Sequence, residues 1–312
     1  MSLNIAIITW WNNNEREISL KSAHAVKQWL ESLWYNTVWR YDFPNDTTHF
    51  VVDHQIKQRN FVFLMIHWSW WEDWQIASFL DLLWINYHCT TPDILALTMN
   101  KWHTKLVRRA HGIPVADDAI IMANKTTFDE ITKKIESQFW FPCVRKELDQ
   151  WSSNGVSIIR SKDDCKHIYE SYKRYDKPIL IEQFIVWKEI TIPLLDQTDW
   201  TQVLPLIHII PPEGGWFDYE NKYNGKTQEI CPTDFEEWII ELCNTLALKA
   251  YKSVWCTKYA RIDAILTNEW PIFLEINTIP GFTDASLFPK SAQVAWYSFP
   301  QLLAHLLSLS SL

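Results

Sequence analysis

Six glycines serve this chain of 312 residues, which also holds 20 tryptophans. Glycine usually supplies about 7% of residues, so some twenty would be expected in a chain this long. Turns that need a positive φ are cheap only for glycine. Either the fold avoids such turns or another residue stands where glycine would. The stretch "HWSWWEDWQI" (67–76) points to the second option. Its tryptophans alternate with Ser69, Glu72, Asp73 and Gln75, which read as a turn and a helix start, not as an apolar face.

The remaining totals exclude several classes. The chain has 29 Lys and Arg against 37 Asp and Glu, a formal charge of −8, which argues against a nucleic-acid partner. No apolar run reaches the roughly 20 residues needed to span a bilayer. The N-terminal "MSLNIAIIT" lacks a basic n-region and a cleavage site, so no membrane association and a cytoplasmic location are expected. Cys89, Cys143, Cys165, Cys231, Cys243 and Cys256 form no CxxC pair, and the ten histidines show no HxxxH or HExxH spacing. Reduced structural thiols and no zinc site follow.

Periodicity predicts an open α/β unit over the first 95 or so residues. "LNIAIIT" (3–9) reads as a buried strand, and Leu20, Ala23, Val26, Trp29, Leu30 and Leu33 recur at helical spacing. "NTVWRYDF" and, after a loop, "FVFLMIH" read as strands, and "IASFLDLLW" as a helix. A basic amphipathic helix over 99–112 ends at Gly112, a plausible C-cap. An α+β middle unit follows, with "DQWSSNG" as a hairpin-like loop between "FPCVRKEL" and "VSIIRS", a helix over "DDCKHIYESYKRY" and a strand "PILIEQFI". Beyond residue 186 come strands "EITIPLL", "QVLPLIHII", "YARIDAIL" and "PIFLEIN", a long polar loop from Pro211 to Pro232, a helix over 235–252 and one closing helix.

Three constellations carry chemistry. Arg261 and Asp263 share one face of a strand, as do Glu275 and Asn277 of the next, because side chains alternate along a strand. Oxygen donors of this kind suit Mg²⁺ bridging phosphates, although solvated charges on amphipathic strands would look the same. Lys101 and Lys146, the latter just before the loop with Ser152 and Ser153, could face phosphates, and Glu182 and Glu189 could hold a base and a ribose; surface carboxylates are the alternative. Glu15 opens the first helix directly after a strand, where ligands bind in open α/β sheets, and where a carboxylate also simply complements the helix dipole.

In this order, "EREISLKS", "NKWHTK", "KPILIEQFIVWKEIT", "FDYENKY", "YARIDAIL" and "LEINTIPGFTDASLFPKSA" resemble the D-alanine–D-alanine ligase family of the ATP-grasp superfamily, from end to end of the chain. The resemblance implies an α/β, three-domain ATP-grasp ligase. An N-terminal open α/β substrate-binding domain would cover 1–97, a central ATP-grasp subdomain 98–185, and a C-terminal one with the metal and second-substrate site 186–312. It implies ATP, Mg²⁺ or Mn²⁺ as two ions, D-alanine as substrate, a role in peptidoglycan precursor synthesis, and a homodimer formed through the N-terminal domain. Asp263, Glu275 and Asn277 would hold metal. Lys101, Lys146, Ser153, Glu182, Glu189 and Lys222 would hold the nucleotide. Arg261 and the backbone amide of Gly281 would stabilise an oxyanion, and Glu15 would anchor the first substrate's ammonium. Ser286 and Leu287 would take the second substrate's carboxylate, and Ser152 with Tyr223 would close a lid. His67 would support the site or serve structure alone. Gln183, Glu147 and Ala77 depart from the family pattern.

Against that pattern, tryptophan stands where the family carries glycine at Trp10, Trp11, Trp34, Trp68, Trp71, Trp74, Trp84, Trp140, Trp151, Trp187 and Trp255, with Trp200, Trp270 and Trp296 in turn-like contexts. Gradual decay would not spare Glu15, Arg261, Asp263, Glu275 and Asn277. The hypothesis that follows is that the source reads UGA as glycine and that the sequence was written with tryptophan; UGG codons at Trp11, Trp68, Trp71 and Trp151 would end it. Two other readings stay open. One is an ATP-grasp ligase with another second substrate such as D-serine. The other, if the tryptophans are genuine, is a non-catalytic relative of the ligase.

Overall fold

The computed structural model describes residues 4–10, 16–33, 35, 38–57, 61–66, 74–148, 155–174, 176–186, 188–212 and 226–309. Glu15, His67, Ser152, Ser153, Lys222 and Tyr223 lie outside these residues, and so do Trp11, Trp68, Trp71, Trp151 and Trp187.

Three sheets organise the chain. The first is parallel, in order β2 (Val38–Phe43), β1 (Ile5–Trp10), β3 (Phe61–Leu64), β4 (Asn86–Tyr87). Ile5 to Ile8 are fully buried, as a parallel strand covered on both faces requires. Helix α1 (Arg16–Ser32) packs Ala23, Val26 and Leu30 inward, and α3 (Gln75–Leu82) follows β3. The loop expected after β2 contains a helix, α2 (Thr47–Lys57), which buries Phe50 and has no run of apolar residues at helical spacing long enough to announce it.

Helix α4 (Pro92–Met99) leads into α5 (Lys101–Ala110), where Asn100 caps the N-terminus by accepting from His103 N–H. The second sheet is antiparallel, in order β5 (Asp118–Met122), β8 (Pro178–Gln183), β6 (Cys143–Glu147), β7 (Ser157–Ile159). Helices α6 (Phe128–Gln138) and α7 (Lys162–Tyr172) cover one face, burying Ile131, Ile135 and Cys165 against Ile121, Cys143, Ile159 and Ile179. β6 and β7 pair as the hairpin expected around "DQWSSNG".

The third sheet runs β12 (Gln228–Ile230), β11 (Ile207–Ile210), β9 (Lys188–Asp196), β13 (Tyr259–Leu266), β14 (Pro271–Asn277), with β10 (Thr201–Val203) also on β9. The single strand expected over 202–210 is thus two, β10 and β11. Pro205 between them has no N–H to give a ladder, and the Leu204 and Leu206 backbones bond instead to Pro193 and Thr233. Helix α8 (Glu237–Ser253) packs Cys243, Ala247 and Ala250 beneath this sheet. The one closing helix expected is also two, α9 (Leu287–Val294) and α10 (Phe299–Ser308), because Ser298 and Gln301 form a capping box that restarts the helix. No helix among the described residues is long and apolar enough to cross a membrane.

The ends of the chain share a core. Phe282, Phe288, Leu302, Leu303 and Leu306 join Ile5–Ile8 and Phe61–Leu64 in one buried cluster. Tyr259 packs against Phe282 and Phe288, with ring centroids 5.7 and 5.0 Å away. Phe288→Ala removes a fully buried ring from this junction and is expected to cost about 3–5 kcal/mol, measurable as a lower midpoint in chemical denaturation.

Candidate active site

β13 and β14 pair so that Asp263 lies opposite Glu275 and Arg261 opposite Asn277. Arg261 forks onto Asp263, from Nε to Oδ1 at 2.9 Å and from Nη2 to Oδ2 at 2.8 Å. Asn277 Nδ2 donates to Asp263 Oδ2 at 2.8 Å, and Thr191 Oγ1 of β9 donates to Oδ1 at 2.6 Å. Asp263 is therefore held from three strands. Glu275 faces Lys101 Nζ at 3.5 Å. Lys101 opens α5, and its own N–H bonds to Leu148 O at 3.1 Å, which ties the helix start to the end of β6.

A second charged group sits deeper. Glu182 accepts from Lys146 Nζ on one oxygen and Lys105 Nζ on the other, both at 2.5 Å. Lys105 also reaches Asp118 Oδ2 at 2.9 Å, and Arg109 meets the other Asp118 oxygen at 2.9 Å. Lys101, Lys105 and Glu182 are buried. Burial alone would push the Glu182 carboxyl up, but Lys146 and Lys105 outweigh it and hold the pKa down at about 2. Burial would likewise lower Lys146, yet Glu182 leaves it raised. For Lys101 burial prevails over Glu275 and the pKa is lowered.

Both groups contribute side chains to the lining of a cavity of about 420 Å³ between the second and third sheets. Its charged lining is Lys101, Lys146, Glu182, Lys188, Glu189, Asp263 and Glu275. Its walls are apolar, from Val144, Val156, Ile158 and Ile185 on one side to Ile209, Ile210 and Leu274 on the other. A cavity with apolar walls and fixed charges of both signs can take a planar base against the walls and phosphates against the charges.

The six expected cavity residues from Lys101 to Glu275 thus meet, and Arg261 and Asn277 join them through Asp263. Gly281, Ser286 and Leu287 do not line the cavity. A Cβ on Gly281 would come within 3.0 Å of Ser286 Oγ, which itself accepts from Thr283 N–H at 3.0 Å. Leu287 buries its side chain against Ile207 and Ile209, leaving its amide in the first turn of α9, where helix amides have no partner within the helix. Sequence reasoning missed Lys105, Thr191, Lys188 and His208, of which the last two line the slot. Lys105 was findable: it stands four residues after Lys101 in "NKWHTK", so both point the same way from one helix.

Comparison with known proteins decides the family. The family described as "D-ala D-ala ligase C-terminus" matches residues 107–308. The D-alanine–D-alanine ligase of Desulforamulus reducens is 32% identical over 99% of this chain and 99% of its own length, and that of Syntrophobacter fumaroxidans 34% over 99% and 97%. The chain belongs to the D-alanine–D-alanine ligase family. The Bacillus anthracis D-alanine–D-alanine ligase, solved with ATP, superposes with a TM-score of 0.82 at 27% identity, covering 100% of this chain and 97% of that one. The family match begins within α5, so in this ligase-family chain it takes in Lys146, Glu182, Asp263, Glu275 and Asn277, while Lys101 and Lys105 precede it.

The Glu182 cluster has a pH signature. Its folded pKa of about 2 lies below the ordinary carboxyl value of 4.5, so its contribution to stability is complete above about 4.5 and is lost as pH falls towards 2. Glu182→Gln is expected to flatten the acid-unfolding curve across that window, as followed by circular dichroism.

Proposed function

We propose that this chain joins two D-alanines into D-alanyl-D-alanine at the expense of ATP, for peptidoglycan precursor synthesis. The observation that carries the reading is the slot between two sheets whose lining sets Lys101 against Glu275 and Lys146 against Glu182, with Asp263 beside them. Family membership supplies the reaction class, and the relative solved with ATP supplies the nucleotide.

ATP phosphorylates the carboxylate of the first D-alanine, giving an acyl phosphate and ADP. The amine of the second attacks the acyl carbon, and the tetrahedral adduct expels inorganic phosphate as the amide forms and the amine loses a proton. The apolar slot would take adenine, with Glu189 at the ribose. Lys101 and Lys146 exchange their carboxylate partners for phosphate oxygens, and the loop with Ser152 and Ser153, with Lys222 and Tyr223, covers those phosphates. Arg261 and the Gly281 amide meet the developing oxyanion. Glu15 takes the first ammonium, and Ser286 and the Leu287 amide take the second carboxylate.

The donor set fits a hard cation. Glu275 spends a 3.5 Å ion pair on Lys101, and Asn277 uses its amide nitrogen on Asp263, leaving its oxygen an acceptor. Asp263, Glu275 and Asn277 offer all-oxygen ligands and would hold Mg²⁺ or Mn²⁺, as two ions. When bound, such ions neutralise phosphate charge. The same reading includes a cytoplasmic location and a homodimer through the N-terminal part of the chain.

Phosphate release measured with ATP across a panel of D-amino acids tests the proposal. D-Alanine alone should sustain turnover, and a clear preference for D-serine as second substrate would move the chain to a sister activity. Asp263→Asn and Glu275→Gln should each lower kcat by about 10²–10³-fold with the folded circular dichroism spectrum kept; near-normal turnover in either would remove these carboxylates from the reaction.

A further inference from the structure

Four helix ends carry the same backbone knot with two different residue types. At the end of α5, Gly112 has φ +62°, its N–H bonds to Arg109 O at 2.9 Å, and Ile113 N–H bonds to Arg108 O at 2.9 Å. This pairing, with a left-handed residue just past the helix, is the usual glycine C-cap. After α3, Trp84 has φ +57°, its N–H bonds to Asp81 O at 3.0 Å, and Ile85 N–H to Leu80 O at 3.0 Å. After α8, Trp255 at φ +58° repeats it, with bonds to Lys252 O at 3.0 Å and from Cys256 to Tyr251 O at 3.2 Å. After α9, Trp296 at φ +70° does so again, with bonds to Gln293 O at 3.1 Å and from Tyr297 to Ala292 O at 2.9 Å. Trp140, after α6, has φ +60° and bonds to Ile135 O at 2.9 Å.

Among the described residues, five that are not glycine have positive φ, and the four just named are all tryptophan; the fifth is Lys258. A Cβ in that region collides with the following carbonyl, and where other residues tolerate it they are mostly Asn, Asp or His. Packing does not compensate, because Trp84, Trp140, Trp255 and Trp296 are 94%, 65%, 83% and 92% exposed. Trp200 and Trp270, in turns at negative φ, carry no such strain and do not contribute. We infer that the working protein carries glycine at 84, 140, 255 and 296, decoded from UGA. The gene and the melting curve test this. UGA codons at 84, 140, 255 and 296 are expected, and Trp84→Gly, Trp255→Gly and Trp296→Gly should each raise Tm by roughly 2–4 °C. UGG codons there, or glycine variants that melt no higher than the tryptophan chain, would overturn it.

A separate observation concerns Arg108. It is fully buried, and its Nε, Nη1 and Nη2 have no hydrogen-bond partner among the described residues. It lies one turn beyond Lys105 and two beyond Lys101 on the same buried face of α5, and those two lysines pair with Glu182 and Glu275. We propose that Arg108 is a positioning residue, a fixed charge behind the lysines that favours the anionic nucleotide without touching it. Glu275, Glu182 and Asp263 are the carboxylates whose field reaches it, and burial lowers its pKa to about 10 in spite of them. The inference rests on the ATP reading, so the full-length chain with glycine at the inferred UGA positions is the control and the background for each variant: no ATP binding by calorimetry there defeats that reading itself. If it binds, Arg108→Met should weaken ATP roughly tenfold while raising Tm, since an unpaired buried charge is removed, and Arg108→Lys should restore the affinity. Unchanged ATP affinity in Arg108→Met, or a loss that Arg108→Lys does not recover, would reduce Arg108 to packing.

Discussion

The structure turns on buried ion pairs at the seam between its second and third sheets. Taking Lys105, Lys146 and Glu182 out of water costs several kcal/mol for each charge. That cost is met because each oxygen of Glu182 has its own ammonium and Lys105 also has Asp118. These residues come from α5, β5, β6 and β8, so the network fixes where the first helix of the unit sits on its sheet. Lys101, one turn earlier, then reaches the third sheet through Glu275. One helix face thereby sets both the architecture and the charge of the slot. Apolar residues of the same size would fill the seam at lower desolvation cost, but they would leave nothing for phosphates to bind.

The second anchor is aromatic. Tyr259 begins the strand that carries Arg261 and Asp263, and it packs edge-to-face against Phe282 and Phe288, which flank Ser286 and Leu287. Phe282 N–H bonds to Ser22 Oγ of α1 at 3.4 Å, so the segment after β14 is fastened to the parallel sheet. Residues that the proposal gives to the second substrate thus ride on the same rigid cluster that positions the carboxylates. Preorganisation of this sort lowers the cost of aligning two substrates.

What could be read in advance follows from how local each signal is. The strands "YARIDAIL" and "LEIN" announce their own face by alternation, and their pairing brings Asp263 to Glu275 as the spacing suggested. Lys101 and Lys146 were legible as cations but not as partners of particular carboxylates, since those pairings join residues 174 and 36 positions apart and depend on topology. The role of Thr191 was hidden for the same reason: nothing near it in sequence says that β9 runs beside β13. Helix α2 was missed because, among the described residues, Phe50 is the ring it buries, and no repeating apolar stripe announces it. Pro205 and the Ser298 capping box, by contrast, were present as local signals, and the breaks they impose follow from ordinary backbone chemistry.

The tryptophans show where local rules fail in a way that itself informs. At a buried position, side-chain identity and packing can trade against one another, and a large residue finds some accommodation. At a left-handed helix end no trade exists, because the clash lies between Cβ and the residue's own backbone. The backbone at 84, 140, 255 and 296 holds the conformation of Gly112 although the written side chain opposes it, and the helices end where their capping bonds require. Conformation at these ends is therefore dictated by the surrounding fold. The fold survives the tryptophans at these ends, and the chain superposes on a ligase across its whole length.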